Sequence, residues 1–151
     1  MVDRFERFSY AISEISRYWH KIAGEEMKKY GLKGPHATYL LAVSRHKEGI
    51  TAAKLCESCG KDKADVSRMT SVLEKKGLVA REDVNQNSYR ALIKLTDEGK
   101  KAADHVRERA SVAVEIAGGE LSDEERAIFY YALESIVSKL QVIGKEGLPQ
   151  K

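Results

Sequence analysis

The chain has 151 residues, 42% of them hydrophobic and 32% charged, with a formal net charge of +3. That length supports one domain of ordinary size with a real core. With no apolar run near the ~20 residues of a membrane helix and no signal-peptide apolar core in Met1-Val2-Asp3-Arg4-Phe5-Glu6-Arg7, a soluble cytoplasmic protein is expected. Charge is uneven: residues 35–94 carry 11 basic against 7 acidic groups and residues 95–151 carry 8 against 11, so positive charge gathers mid-chain, where phosphate neutralisation would require it.

Phe5, Phe8, Ile12, Ile15, Trp19 and Ile22 step by three and four residues, which predicts one apolar stripe on a long first helix. Further on, Ile50 to Gly60 reads as a short helix, with Thr51 as its cap and Gly60 as its turn. A second helix follows over Asp62 to Lys76. Val66, Met69, Thr70 and Leu73 share one of its faces; Ala64, Ser67, Arg68, Ser71 and Lys75 share the opposite one, which has no large apolar group. Two helices joined at a glycine make a helix-turn-helix. The second helix stops at Gly77 and opens into two strand-like runs, Leu78 to Val84 and Tyr89 to Leu95, around the turn formers Asn85-Gln86-Asn87-Ser88. The expected fold is mainly α, a winged helix-turn-helix with a three-helix core and a β-hairpin wing.

Thr96 with Asp97 and Glu98 starts another long helix, which Gly118-Gly119 ends. Ser122-Asp123-Glu124-Glu125 has the spacing of a capping box and opens the last helix, where Phe129, Leu133, Ile136, Leu140 and Ile143 form a second stripe. Residues from Gly144 onward read as a frayed tail. Two long terminal helices with apolar seams need a partner, so they are expected to pack across a two-fold axis. Residues 1–34 and 97–151 are assigned to this dimerisation region, and residues 35–96 to the winged helix-turn-helix DNA-binding domain.

The run ITAAKLCESCGKDKADVSRMTSVLEKKGLVARE followed by YRALIKLTDEGK resembles the core of the MarR family of bacterial and archaeal transcriptional regulators. The resemblance spans roughly Tyr10 to Ile143. Its most specific parts are Leu73-Glu74-Lys75-Lys76-Gly77-Leu78-Val79 with Arg81, then Arg90, Leu95-Thr96 and Gly99. It implies an obligate homodimer with intertwined terminal helices, a pseudo-palindromic operator in double-stranded DNA, and a repressor that a small ligand releases. One departure is Ser88, where the family usually has an Asp two residues before the wing arginine.

Arg68, Ser67 and Ala64 would present a guanidinium, a hydroxyl and a methyl-sized gap to base edges in a major groove. Lys61, Lys63, Ser71 and Lys75 would touch phosphates, and Asp65 would accept from a cytosine amino group or cap locally. The resemblance adds Arg90 as a minor-groove contact, while Arg81 is expected to pin the wing to the body. Trp19, His20, His36 and Tyr39 are candidates to line a cavity for an aromatic carboxylate or phenolic effector.

Cys56-Glu57-Ser58-Cys59 has the spacing of a dithiol switch or half a zinc site, but no second pair exists and both cysteines fall inside the first helix of the helix-turn-helix. Core packing is the preferred reading. A redox- or metal-responsive regulator of the same fold is the alternative, and a winged-helix interaction protein that binds no DNA is another. His20, His36, His46 and His105 show no paired metal-ligand spacing. With no Gly-rich phosphate loop, Gly-x-Ser-x-Gly or His-Glu-x-x-His either, no enzyme activity, cofactor or metal is expected.

Overall fold

The computed structural model describes residues 3–83 and 90–150. The wing turn Asn85 to Ser88, including the Ser88 departure, lies outside the described residues.

Helix α1 spans Arg4–Met27 and runs into a 3-10 turn over Lys28–Tyr30. Helix α2, Gly34–Ser44, has Pro35 in its first turn, where a missing N–H costs nothing. Seven of its eleven residues are buried, including Leu40 and Val43. A helix apolar all round belongs at the centre of a domain, and α1, α3, α4 and β2 surround it.

Helix α3, Ala52–Cys59, starts where the Thr51 hydroxyl accepts from the Lys54 N–H at 3.3 Å. It ends at Gly60, whose φ of 60° is left-handed and suits a residue with no Cβ. Helix α4, Lys63–Lys75, starts at Asp62, whose carboxylate accepts from the Asp65 N–H at 2.8 Å. Strands β1, Val79–Glu82, and β2, Leu92–Leu95, then pair antiparallel with Val79 opposite Leu95 and Glu82 opposite Leu92. Both are shorter than the sequence predicts. Leu78 donates to the Leu73 carbonyl at 3.0 Å and so belongs to the exit from α4 rather than to the ladder. On the other edge of β2, Ile50 and Ile93 exchange two backbone hydrogen bonds, at 3.0 and 2.8 Å. Helix, turn, helix and antiparallel wing thus follow in the predicted order.

Helix α5 covers Asp97–Ala117. At its start the Thr96 hydroxyl accepts from the Gly99 N–H at 3.0 Å and donates to the Gly77 carbonyl at 2.6 Å, which fastens the wing's exit to its entry. Met27, Leu40, Val43, Leu55, Val66 and Leu73 are the large side chains most fully withdrawn from solvent, and Ile93, Ala102, Ala103 and Val106 complete the core around them.

The chain divides between Ser111 and Val112 into two compact units. In the second, helix α6, Asp123–Glu146, opens with the predicted reciprocal cap: Glu125 N–H to Ser122 Oγ at 3.2 Å, and Ser122 N–H to Glu125 Oε2 at 2.8 Å. Instead of fraying at Gly144, α6 continues to Glu146, and the Gly147 N–H closes it on the Ile143 carbonyl at 2.8 Å. One glycine within a helix costs only about 1 kcal/mol, too little to stop it. No residue of α6 is buried, and Met27 is the sole buried residue of α1. Phe5 and Tyr131 are 71% and 76% exposed, so large apolar groups on both helices stand uncovered within this chain. No described helix is long and apolar enough to cross a membrane.

Candidate nucleic-acid interface

Helix α4 turns Val66, Thr70 and Leu73 into the core and packs Met69 and Val72 against it. That orientation leaves Ala64, Ser67, Arg68 and Lys75 exposed and Ser71 half-buried, so the groove-facing candidates do share a surface. Lys63 is exposed in the first turn, and Lys61 is exposed in the preceding loop, where its N–H donates to the Cys56 carbonyl at 3.1 Å. Asp62, not Asp65, caps the helix. The Asp65 carboxylate instead pairs with the Arg68 guanidinium one turn along, which holds the longest side chain of the face close to the helix start. The result is a ridge of small and cationic groups that could enter a polar groove without burying an apolar side chain.

In the wing, Arg81 Nε donates to Glu74 Oε2 at 3.1 Å, which ties β1 to α4 as expected. Lys94 Nζ meets Glu82 Oε2 at 2.7 Å across the hairpin. Arg90 is exposed two positions before β2.

A small cavity lies where α1, α2 and α5 meet, lined by Trp19, His20, Ile22, Thr38, Glu26 and Arg109 among others. Two of the four sequence candidates, Trp19 and His20, face it; His36 and Tyr39 do not. The buried His36 is used locally, its Nδ1 accepting from the Lys33 N–H at 2.9 Å, and burial holds its pKa below the usual imidazole value. Tyr39 is buried with no hydrogen-bond partner for its hydroxyl among the described residues. Its pKa is raised, first by burial and then by Cys59, which places the phenol toward α3. His20 Nδ1 donates to the Ser16 carbonyl at 2.6 Å.

Sequence reasoning missed the acid beside this cavity. Glu26 accepts from Lys29 at 3.0 Å, His105 at 2.7 Å and Arg109 at 3.2 Å, and these donors bring its carboxyl down to about 2. His105 and Arg109 are 79 and 83 residues away in sequence, so no local spacing signals the cluster. Both cysteines are free, partly buried and packed against the core. Burial pushes the Cys59 thiol up, away from the reactive thiolate.

Residues 30–87 match the model of the MarR family. A MarR transcriptional regulator from Methanosarcina mazei Go1 superposes with a TM-score of 0.83 at 26% identity, covering 91% of this chain and 99% of its own. The chain has the winged-helix fold of MarR regulators, and its helix-turn-helix segment matches their family model. Two further MarR-type folds are similar in shape. The S. aureus MepR-DNA complex has a TM-score of 0.77 at 22% identity over 88% of this chain and 97% of its own. Wild-type E. coli MarR in its apo form has a TM-score of 0.68 at 20% identity over 85% of this chain and 95% of its own. No curated protein sequence matches the chain. Within the MarR frame, the family segment takes in α2, α3, α4 and β1 and therefore every α4 candidate, whereas Trp19, His20 and Arg90 fall outside it.

Proposed function

We propose that this chain is a homodimeric, sequence-specific DNA-binding transcriptional regulator of MarR type acting in the cytoplasm, not an enzyme. The observation that carries the reading is the solvent face of α4, where small and cationic residues stand on a helix fixed from behind by the core and flanked by the wing. Likeness in fold to DNA-bound MepR supports it. In this assignment Arg68, Ser67 and Ala64 read base edges, with Asp65 orienting Arg68. Lys61, Lys63, Ser71 and Lys75 hold phosphates, and Arg90 enters the minor groove. Residues 35–96 are the DNA-binding domain, while residues 1–34 and 97–151 form the dimerisation region, whose uncovered apolar stripes meet a second copy.

We further propose that the protein is a repressor released by an aromatic carboxylate or phenol bound near Trp19 and His20. The cavity there measures about 50 Å³ in the single chain, well below the ~300–1,000 Å³ of ordinary ligand sites, so the effector-bound state must be a more open one. A ligand that prefers that state weakens DNA binding by its differential affinity. Fluorescence anisotropy with duplexes from the protein's own upstream region, with and without salicylate-like compounds, tests both claims. Saturable, sequence-dependent binding that the ligand weakens is expected. Failure to bind any duplex at low salt would turn the reading toward a winged-helix interaction module.

A further inference from the structure

A second concavity of the first unit shares no lining residue with the Trp19 cavity. It is framed by the end of α2, the loop that follows, β2 and one face of α5, and encloses about 520 Å³, a volume usual for small-molecule sites. The buried Val43 and Ala103 provide an aliphatic floor. Around that floor stand Lys47, Lys94, Lys100 and Arg107, from three separate stretches of chain, against Asp104 as the one lining carboxylate among the described residues. Bringing four cations together is unfavourable unless negative charge joins them.

Arg107 is set in place by the fold. Its Nη2 donates to Ser44 Oγ at 2.9 Å, Ser44 Oγ donates to the Leu41 carbonyl at 2.7 Å, and Nη1 meets Asp104 at 2.8 Å. The partners of the lysines are more easily exchanged. Glu82, on Lys94, and Asp97, on Lys100, lie in solvent with 61% and 94% of their side chains exposed, and such pairs are weak enough for a bound anion to displace. We propose that this cleft is a second ligand site, for a small molecule carrying a phosphate group on an apolar body. A phosphate dianion offers three acceptor oxygens to cations on several sides at once, and the Val43–Ala103 floor takes the body. A DNA backbone would touch the lysine tips and leave that floor wet, so the recess favours a small molecule.

The test is calorimetry on the full chain at fixed ionic strength with phenyl phosphate, using inorganic phosphate and benzyl alcohol for comparison. Saturable binding of one phenyl phosphate per chain is expected, at least tenfold tighter than either comparator. The double variant Lys47→Gln/Lys94→Gln should weaken it at least tenfold, and Trp19→Ala should leave it unchanged. If the double variant does not fold by circular dichroism, Lys100→Gln is read in the same way. The proposal fails if wild type shows no saturable binding, if the lysine variants bind as wild type does, or if Trp19→Ala alone abolishes binding. It also fails if the double variant loses DNA affinity while keeping phenyl phosphate, since the cleft would then be a backbone contact.

Discussion

Gly99 is where the wing and the following helix come closest, because a Cβ built there would lie 1.8 Å from the Leu78 carbonyl oxygen. That same oxygen accepts the Thr96 N–H at 3.1 Å, so the carbonyl cannot swing aside without losing the hydrogen bond that fixes the start of α5. Gly99→Ala must therefore push α5 off the β1 entry. The expected cost is about 1–3 kcal/mol or more, visible as a fall of several degrees in thermal midpoint; a wild-type midpoint would mean that α5 shifts freely. Thr96 was readable in sequence because a cap acts over three residues. Glu26 was not, since two of its three charge partners, His105 and Arg109, come from the middle of α5. Nor was the basic cleft, whose lysines come from the α2–α3 loop, β2 and α5 and acquire meaning only when the core brings them together.

At the scale of elements, the Glu26 cluster is a clamp of α1 onto α5, with His105 and Arg109 reaching across to a carboxylate on α1. A carboxyl lowered from 4.5 to about 2 contributes stability that is fully present above the ordinary value and is lost as pH falls through 4.5 toward 2. Because the Lys29 and Arg109 side chains are half exposed or more, water screens much of the attraction, and the neutral-pH contribution is placed at about 1–2 kcal/mol. Glu26→Gln should lose that amount at pH 7 and show a flatter stability profile between pH 5 and 2. Urea denaturation at a series of pH values measures both, and parallel profiles for variant and wild type would deny the clamp its role. Element boundaries were legible where a side chain caps a helix, as Thr51, Thr96 and Ser122 do. The centre of the fold was harder to read, because α2 is apolar on every side and so lacks the two-faced periodicity that announces a surface helix. The wing strands were overextended because β-propensity does not show that Leu78 is already held by the turn leaving α4.

For the whole molecule, the uncovered stripes of α1 and α6 set the expectation of a dimer, and the dimer in turn sets the form of DNA recognition. Met27 apart, no large apolar side chain of either helix is buried within the chain, so a stable solution state should cover them with a second copy. Sedimentation should give a dimer, and Ile136→Asp should yield aggregated or unfolded protein, since it would place a charge in an apolar seam; a well-folded wild-type monomer would refute the arrangement. Two-fold symmetry then presents two α4 faces and two wings to one duplex, with half-site centres about one helical turn, ~10 bp, apart. Whatever one wing contributes, the dimer contributes twice. Arg90, exposed just before β2, should on replacement by Ala weaken operator binding by roughly 1–3 kcal/mol per subunit and reduce the salt slope by about one for each phosphate left without its cation. Arg68→Ala differs in kind: it removes a group placed for base edges, so discrimination between operator and scrambled duplex should fall along with affinity. Anisotropy titrations of both variants on both duplexes across a salt series separate these outcomes. If Arg90→Ala keeps wild-type affinity and slope throughout, the wing does not touch DNA and recognition rests on α4 alone.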